Sequence, residues 1–337
     1  MLDLRPVGFV IGYLVMALGA TMLLPLGAEI IMGGRDAQTF VFSTIVTVMT
    51  GGLLVLACQS SNINRINIQQ TFIVTTLSWL VLPFFGAIPF WIGSLNANFT
   101  ASFFESMSGL TTTGSSNFTN LNDMSPGLLF WRSLLQWIGG VGIVVVAMVF
   151  LPTLRVGGMQ IFRSEGFDTL GKILPRAAEI AKSISYIYLG ITIACIFSYL
   201  LVGMTMFEAL NHAFTTVSTG GFSTYDASFG TFSGLPEYVA SFFMILASLP
   251  FVRYVQLIAG TAKPLLRDSQ IQTYLAAIMI FALVLVLYRL TFSGDGGEEA
   301  FREAVFNVTS IMSGTGYASV DYNHWGSFPI ALFFIIG

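Results

Sequence analysis

Seven stretches of this chain are each long and apolar enough to cross a lipid bilayer: residues 7–32, 38–57, 71–93, 128–151, 184–203, 236–260 and 271–291. A spanning helix needs about 20 mostly apolar residues. An eighth run starts near Ser327 and reaches Gly337 after only about 10 apolar positions, half of a span. Only 9% of the 337 residues are charged, against roughly 25% in a soluble domain. So few charges cannot cover a globular surface in water. The pattern argues against a soluble enzyme, a disordered chain and a nucleic-acid binder, and the net charge of −3 offers no basic face. It predicts an all-α polytopic membrane protein whose main partner is the bilayer.

Reactive side chains are scarce. Cys58 and Cys195 are the only cysteines and both lie at or inside apolar runs, so they read as packing residues. His212 and His324 are the only histidines, and no spacing suggests a metal cluster or a Ser/His/Asp arrangement. The first apolar run is long enough to span and carries no evident cleavage site, which argues against a signal peptide. Orientation follows from Lys and Arg. One set of loops holds Arg5, Arg65, Arg155, Arg163, Lys172, Arg176, Lys182, Lys263 and Arg267, nine of the fourteen basic residues, and is placed in the cytoplasm together with the N-terminus. Twelve of the seventeen acids fall on the opposite side: Glu29, Asp36, Glu105, Asp123, Glu208, Asp226, Glu237, Asp295, Glu298, Glu299, Glu303 and Asp321. Two readings stand: a by-product of the positive-inside bias, or an outer vestibule that concentrates cations.

Three outer stretches, 98–123, 205–229 and 298–322, are neither spans nor ordinary loops. Each has a half-apolar segment of about 12 residues, too short to span, followed by a Gly/Ser/Thr cluster and a polar return. They align. Phe104-Glu105-Ser106-Met107-Ser108-Gly109-Leu110-Thr111-Thr112-Thr113-Gly114 matches Asn211-His212-Ala213-Phe214-Thr215-Thr216-Val217-Ser218-Thr219-Gly220-Gly221 and Phe306-Asn307-Val308-Thr309-Ser310-Ile311-Met312-Ser313-Gly314-Thr315-Gly316, read with the last glycines in register. Those glycines are 107 and 95 residues apart. Any one such stretch is more often a surface turn. Three in register, each between two spans and all on one side, predict a repeated unit of span, pore helix, filter loop and span.

The chemistry such a loop serves is specific. A dehydrated monovalent cation needs oxygens that replace its water shell, and backbone carbonyls supply them without a full counter-charge, so the ion can also leave. Glycine permits the positive φ angles that turn successive carbonyls to one axis. Threonine and serine hydroxyls add oxygens. A short helix ending at the loop aims its negative dipole end at the ion. The residues expected to contact the ion are Thr112, Thr113, Gly114, Ser218, Thr219, Gly220, Gly221, Gly314, Thr315 and Gly316. The third loop, Ser313-Gly314-Thr315-Gly316-Tyr317, is similar to the filter of potassium channels.

Four segments carry a closer resemblance: Phe103 to Gly114, the run Trp131-Arg132-Ser133-Leu134-Leu135-Gln136-Trp137-Ile138-Gly139-Gly140-Val141-Gly142, the run Gly157 to Gly166, and Thr219-Gly220-Gly221-Phe222-Ser223-Thr224. Over essentially its whole length the chain resembles the TrkH/TrkG potassium-uptake proteins, within the wider group of KtrB and plant HKT transporters. The resemblance implies repeated units around a single pseudo-fourfold pore, preceded by two extra helices. It implies one filter glycine per unit, which Gly114, Gly221 and Gly316 match. In plant relatives a serine at the first of these goes with sodium preference, so Gly114 implies potassium. It also implies a bacterial inner-membrane transporter that is not an enzyme, a homodimer, and a TrkA-like cytosolic nucleotide-binding regulatory subunit touching the loop 152–182.

The expected layout is two extra helices in 1–69, a first pore unit in 70–155, a cytoplasmic loop in 156–182, a second unit in 183–262 and a third, incomplete, in 270–337. Against the family pattern a fourth unit is absent, together with the gate-forming second span of the third. The length thus reads as about three-quarters of the family's pore domain, and a non-conducting fragment or assembly subunit stands as one alternative. A symporter coupled to protons or sodium is another, although acids inside the spans are nearly absent. Glu105, His212 and Asn307 occupy equivalent positions, expected near the start of each pore helix as anchors. Arg132 is expected either to pair with a carboxylate and hold the filter scaffold, or to snorkel to the interface. Gln136 is expected to be hydrogen-bonded between helices, and Arg253 to be an interface residue or a barrier on the pore side.

Overall fold

The computed structural model describes residues 3–59, 68–154, 177–292 and 297–337, with backbone alone for 68, 143–154 and 177–180. Arg65, Arg155, Arg163, Lys172, Arg176, Asp295 and most of the expected loop 156–182 lie outside the described residues. The rest is helix and connecting loop. Five described helices or helix pairs are long and apolar enough to cross a membrane, or six if one bent pair is a single span.

The chain divides into two compact units. The first takes the described residues up to Thr111 and Ser115–Leu135. Helices α1 (Arg5–Thr21) and α2 (Leu23–Met32) run nearly continuously and pair with α3 (Ala37–Cys58). Small residues allow this pairing: a methyl group on Gly12 would stand 2.8 Å from the Gly51 carbonyl oxygen, and one on Gly51 2.7 Å from that of Gly12. Helix α4 (Ile68–Gly86) breaks near Gly86 and resumes as α5 (Ile88–Ile92), with Pro83 and Pro89 flanking the break. The Gly86 carbonyl at that break accepts the Trp131 indole N–H at 2.9 Å. The short helix α6 (Phe99–Leu110) starts at Asn98, whose side chain accepts Ala101 N–H. Helix α7 (Pro126–Leu154) begins in this unit.

Glu29 fixes that beginning. Its buried carboxylate accepts the Gly127 N–H at 2.7 Å, the Asp36 N–H at 3.1 Å and the Ser125 hydroxyl. It therefore caps α7, where unpaired N–H groups and the helix dipole favour an anion. Asp36 in turn accepts Ser94 N–H at 2.8 Å and Ser94 Oγ at 2.6 Å.

The second unit takes Thr112–Gly114, Gln136–Pro152 and the described residues from Ala177 onward. It contains α8 (Ala177–Leu201), α9 (Met206–Val217), α10 (Leu235–Ser248), α11 (Phe251–Ile258), α12 (Lys263–Leu266), α13 (Ser269–Phe292), α14 (Gly297–Met312) and α15 (Ser327–Ile336). Helix α9 opens with a reciprocal cap between Thr205 and Glu208. The apolar run at 236–260, expected as one span, is broken: α10 and α11 meet at 88°. Pro250 is the cause, since it drives Leu249 into extended backbone (ψ 149°) and ends α10. Arg253 of α11 is partly exposed and paired. It binds Asp268 at 2.7 Å, and Asp268 also caps α13 through the Gln270 N–H at 2.9 Å. Helix α14 is tied to α13 by Arg289–Glu303 at 2.7 Å and to α10 by Arg302–Glu237.

Replacing Glu29 by Ala strips the partner from the Ser125 hydroxyl, the Asp36 N–H and the Gly127 N–H of α7. Each buried unsatisfied group costs about 1–3 kcal/mol. Detergent-solubilised Glu29→Ala protein is therefore expected to unfold several degrees below the parent in a thermal melt, with Glu29→Gln between the two.

Candidate ion filter

The three Gly/Ser/Thr loops, 112–114, 218–222 and 313–317, all belong to the second unit. Their backbones repeat one conformation. φ is positive at Thr112 and Gly114 (55° and 78°), at Thr219 and Gly221 (51° and 73°), and at Gly314 and Gly316 (73° and 82°), with the residue between them outside that region each time. Alternating handedness of this kind turns successive carbonyls toward one side instead of to opposite sides as in a strand. Thr112 and Thr219 hold it against the preference of β-branched side chains, a local strain of order 1–3 kcal/mol each.

Hydrogen bonds from the loop N–H groups set which side that is. Gly220 and Gly221 donate to Thr215 O at 2.8 and 3.3 Å, and Thr219 donates to Thr216 O at 3.0 Å. In the third repeat Thr315 and Gly316 donate to Ser310 O at 2.9 and 3.3 Å, and Gly314 to Ile311 O at 3.0 Å. A trans peptide points its carbonyl opposite its N–H. Spending the N–H groups on the ends of α9 and α14 therefore turns the carbonyls of Ser218 and Thr219, and of Ser313 and Gly314, away from those helices. Three of the hydroxyls expected to add oxygens are engaged by the protein: Thr219 Oγ1 donates to Ser218 O at 2.8 Å, Ser218 Oγ to Thr215 O of α9 at 3.3 Å, and Thr315 Oγ1 pairs with Ser313 Oγ at 2.7 Å.

Neighbouring loops touch through glycine. A methyl group on Gly114 would lie 2.1 Å from the Gly220 carbonyl oxygen, and one on Gly221 would lie 1.8 Å from that of Thr315. Each of these two glycines thus abuts the carbonyl just before the glycine of the following repeat. A side chain at either position forces the facing backbone to shift, on top of the strain of its positive φ.

Each loop is also braced as it leaves the filter. Glu105, His212 and Asn307 lie mid-helix in α6, α9 and α14, not near the helix starts as the sequence suggested. Glu105 accepts Ser116 Oγ at 2.8 Å and Asn117 N–H at 3.1 Å. His212 Nε2 lies 3.1 Å from Ser223 Oγ. Asn307 donates to Ser319 Oγ at 2.9 Å and accepts Ser319 N–H at 3.3 Å. One position performs one task with an acid, an imidazole and an amide. In the first unit Arg132 completes the brace: its Nε bonds Glu105 at 2.8 Å, with both side chains buried. Arg132 does not snorkel.

Two contacts escaped the sequence reading. The Tyr317 hydroxyl, beside the third filter glycine, bonds Thr215 Oγ1 and reaches His212 O at 3.3 Å, tying the third loop to the second pore helix. Gln136 of α7 bonds the second loop at two points, through Gly220 O at 2.6 Å and Phe222 N–H at 3.1 Å. The aromatic after Gly316 and the amide inside an apolar helix were the available signals, but neither names its partner. The vestibule reading of the outer acids narrows: Glu29, Asp36, Glu105, Glu237 and Glu303 are buried and held by protein donors.

Apolar helices of membrane-crossing length, together with short helices that deliver braced, carbonyl-presenting loops to one place, define a membrane protein built to pass ions. The comparisons with known proteins agree with that class. The model of the TrkH family, described as cation transport protein, matches residues 36–336. The chain is 36% identical to the Trk system potassium uptake protein TrkI of Halomonas elongata, over 98% of this chain and 67% of that one. It is 32% identical to TrkH of Escherichia coli K12, over 97% and 69%. The crystal structure of the potassium transporter TrkH from Vibrio parahaemolyticus is similar with a TM-score of 0.87 at 31% identity, over 99% of this chain and 69% of that one. This chain belongs to the TrkH family of cation transport proteins.

Removing Arg132 leaves the Glu105 carboxylate buried without its counter-charge, at a cost of about 3–5 kcal/mol. Arg132→Leu is expected to lose most of its monodisperse peak in size-exclusion chromatography, and adding Glu105→Gln is expected to restore part of it. Tyr317→Phe is expected to cost about 1 kcal/mol, the size of an ordinary hydrogen bond. Its folded protein is expected to discriminate less well between potassium and sodium in flux assays.

Proposed function

We infer that this chain conducts potassium ions across a bacterial inner membrane through a filter of backbone carbonyls, as the membrane subunit of a Trk-type uptake system. The observation that carries this reading is the alternating φ shared by the three loops, with the N–H groups of the second and third turned to their pore helices and the carbonyls turned away. Such a surface substitutes for a monovalent cation's water while letting the ion leave. The ten filter residues from Thr112 to Gly316 are the proposed ion contacts, with Glu105 and Arg132 as support. The names of the relatives support potassium as the cargo.

Uptake then needs no covalent step. The inside-negative potential supplies about 2.3 kcal/mol per charge per 100 mV. We further place the N-terminus in the cytoplasm, from the bias of the basic residues, and assign 1–69 to two helices outside the pore. Residues 70–155, 183–262 and 270–337 form the successive pore units. A homodimer with a TrkA-like nucleotide-binding partner on the basic loop at 156–182 is the proposed assembly.

Gly114→Ser tests the filter directly. Its Cβ would fall against the Gly220 carbonyl, so the second loop must shift. The variant is expected to lose about tenfold in potassium-over-sodium preference, equivalent to about 1.4 kcal/mol, as read by flux in proteoliposomes. Unchanged preference would sink the assignment. Restored growth of a potassium-uptake-deficient host at low potassium would establish transport itself.

A further inference from the structure

Gln136 is a fully buried amide in the middle of an apolar helix, and both of its polar ends are spent on one filter loop. Its two bonds straddle Gly221. Nε2 donates to the carbonyl of the Gly220–Gly221 peptide, and Oε1 accepts the N–H of the Gly221–Phe222 peptide. Because carbonyl and N–H of a trans peptide point oppositely, the second bond turns the Gly221 carbonyl away from α7, the span standing behind the loop. The first bond draws the Gly220 carbonyl toward α7. The same pairing fixes which end of the amide is oxygen.

The amide is itself held rigidly. The next residue, Trp137, stacks on Phe214 of the pore helix α9 with ring centroids 5.0 Å apart, donates its indole N–H to Thr192 at 3.1 Å and accepts the Tyr188 hydroxyl at its carbonyl at 3.0 Å. Gly220 is shaped to receive the amide, since a methyl group there would lie 2.4 Å from the Gln136 carboxamide carbon.

We propose that Gln136 is a selectivity-determining positioning residue: it aims the Gly221 carbonyl at the permeating ion and withdraws that of Gly220. This rests on reading the loops as the filter. It narrows that reading, because Gly220 then serves as the clamp point and Gly221 as the ion contact. Gln136 holds the second loop. The third loop is fastened instead through the Tyr317 hydroxyl.

The test uses the full native protein in proteoliposomes, comparing Gln136→Glu and Gln136→Leu with the parent and with Gly114→Ser. Glutamate keeps the shape and the acceptor for Phe222 N–H but offers no donor to Gly220. Leucine removes both bonds. Each variant is expected to fold, judged by its chromatographic profile and melting temperature, and to lose about tenfold in the potassium-to-sodium flux ratio, the effect of one or two lost hydrogen bonds. Total flux per molecule is expected to fall less than the ratio. A purely structural role would lower the yield of folded protein and leave the ratio of what remains intact. Folded Gln136→Glu with the parent's ratio, while Gly114→Ser shifts it, overturns the proposal and leaves the filter standing. Unchanged ratios in all variants overturn the filter reading instead. Failure of both Gln136 variants to fold assigns the residue to stability and likewise overturns the proposal.

Discussion

Everything in this structure answers to one constraint. Backbone N–H and C=O groups at membrane depth have no water to bond, so non-helical chain there must find its partners inside the protein or line a polar path. The loops meet it by division. In the second and third, N–H groups go back to carbonyls in the last turn of the pore helices, Thr215 and Ser310 each receiving two. That leaves carbonyls facing the other way, and a row of carbonyls wants a cation. The proposed filter is what remains once the donors of such a loop have been satisfied locally.

The remaining architecture keeps that division from relaxing. Positive φ at threonine is uphill, so Thr112 and Thr219 would drift to ordinary extended backbone if the chain on either side were slack. The mid-helix residues Glu105, His212 and Asn307 pin the outgoing strands. The buried Arg132–Glu105 pair is a weak source of stability, because desolvating two charges costs nearly what their attraction returns. Its use is geometric: an unpaired partner is so unfavourable that the brace has one arrangement. Glu29 works at one remove, anchoring the start of α7, the helix that carries both Arg132 and Gln136.

Much of this was legible in the sequence. The apolar runs announced the spans, and the register of Gly114, Gly221 and Gly316 announced the repeat, because length and glycine spacing are local properties of a chain. The equivalence of Glu105, His212 and Asn307 was visible for the same reason. Their task was not, since a brace depends on what the returning loop offers 11 or 12 residues on. Gln136 and Tyr317 were obscure for a deeper reason. Both act across 80 or more residues, from one repeat onto the loop or helix of another. The alignment that exposes a repeat says nothing about how copies touch. The 88° break at Leu249–Pro250 could have been read from the proline, but the apolar run continues through it, and hydropathy does not see a bend.

The most direct test of the central claim is to look for the ion. Density maps of the full native protein prepared in potassium and in sodium should differ at one place. The account predicts a potassium peak bounded by residues 112–114, 218–221 and 314–316, with the Gly221 carbonyl nearer to it than that of Gly220, and a weaker peak or none in sodium. Equal density in both salts, or ordered potassium elsewhere with none at these loops, would contradict it.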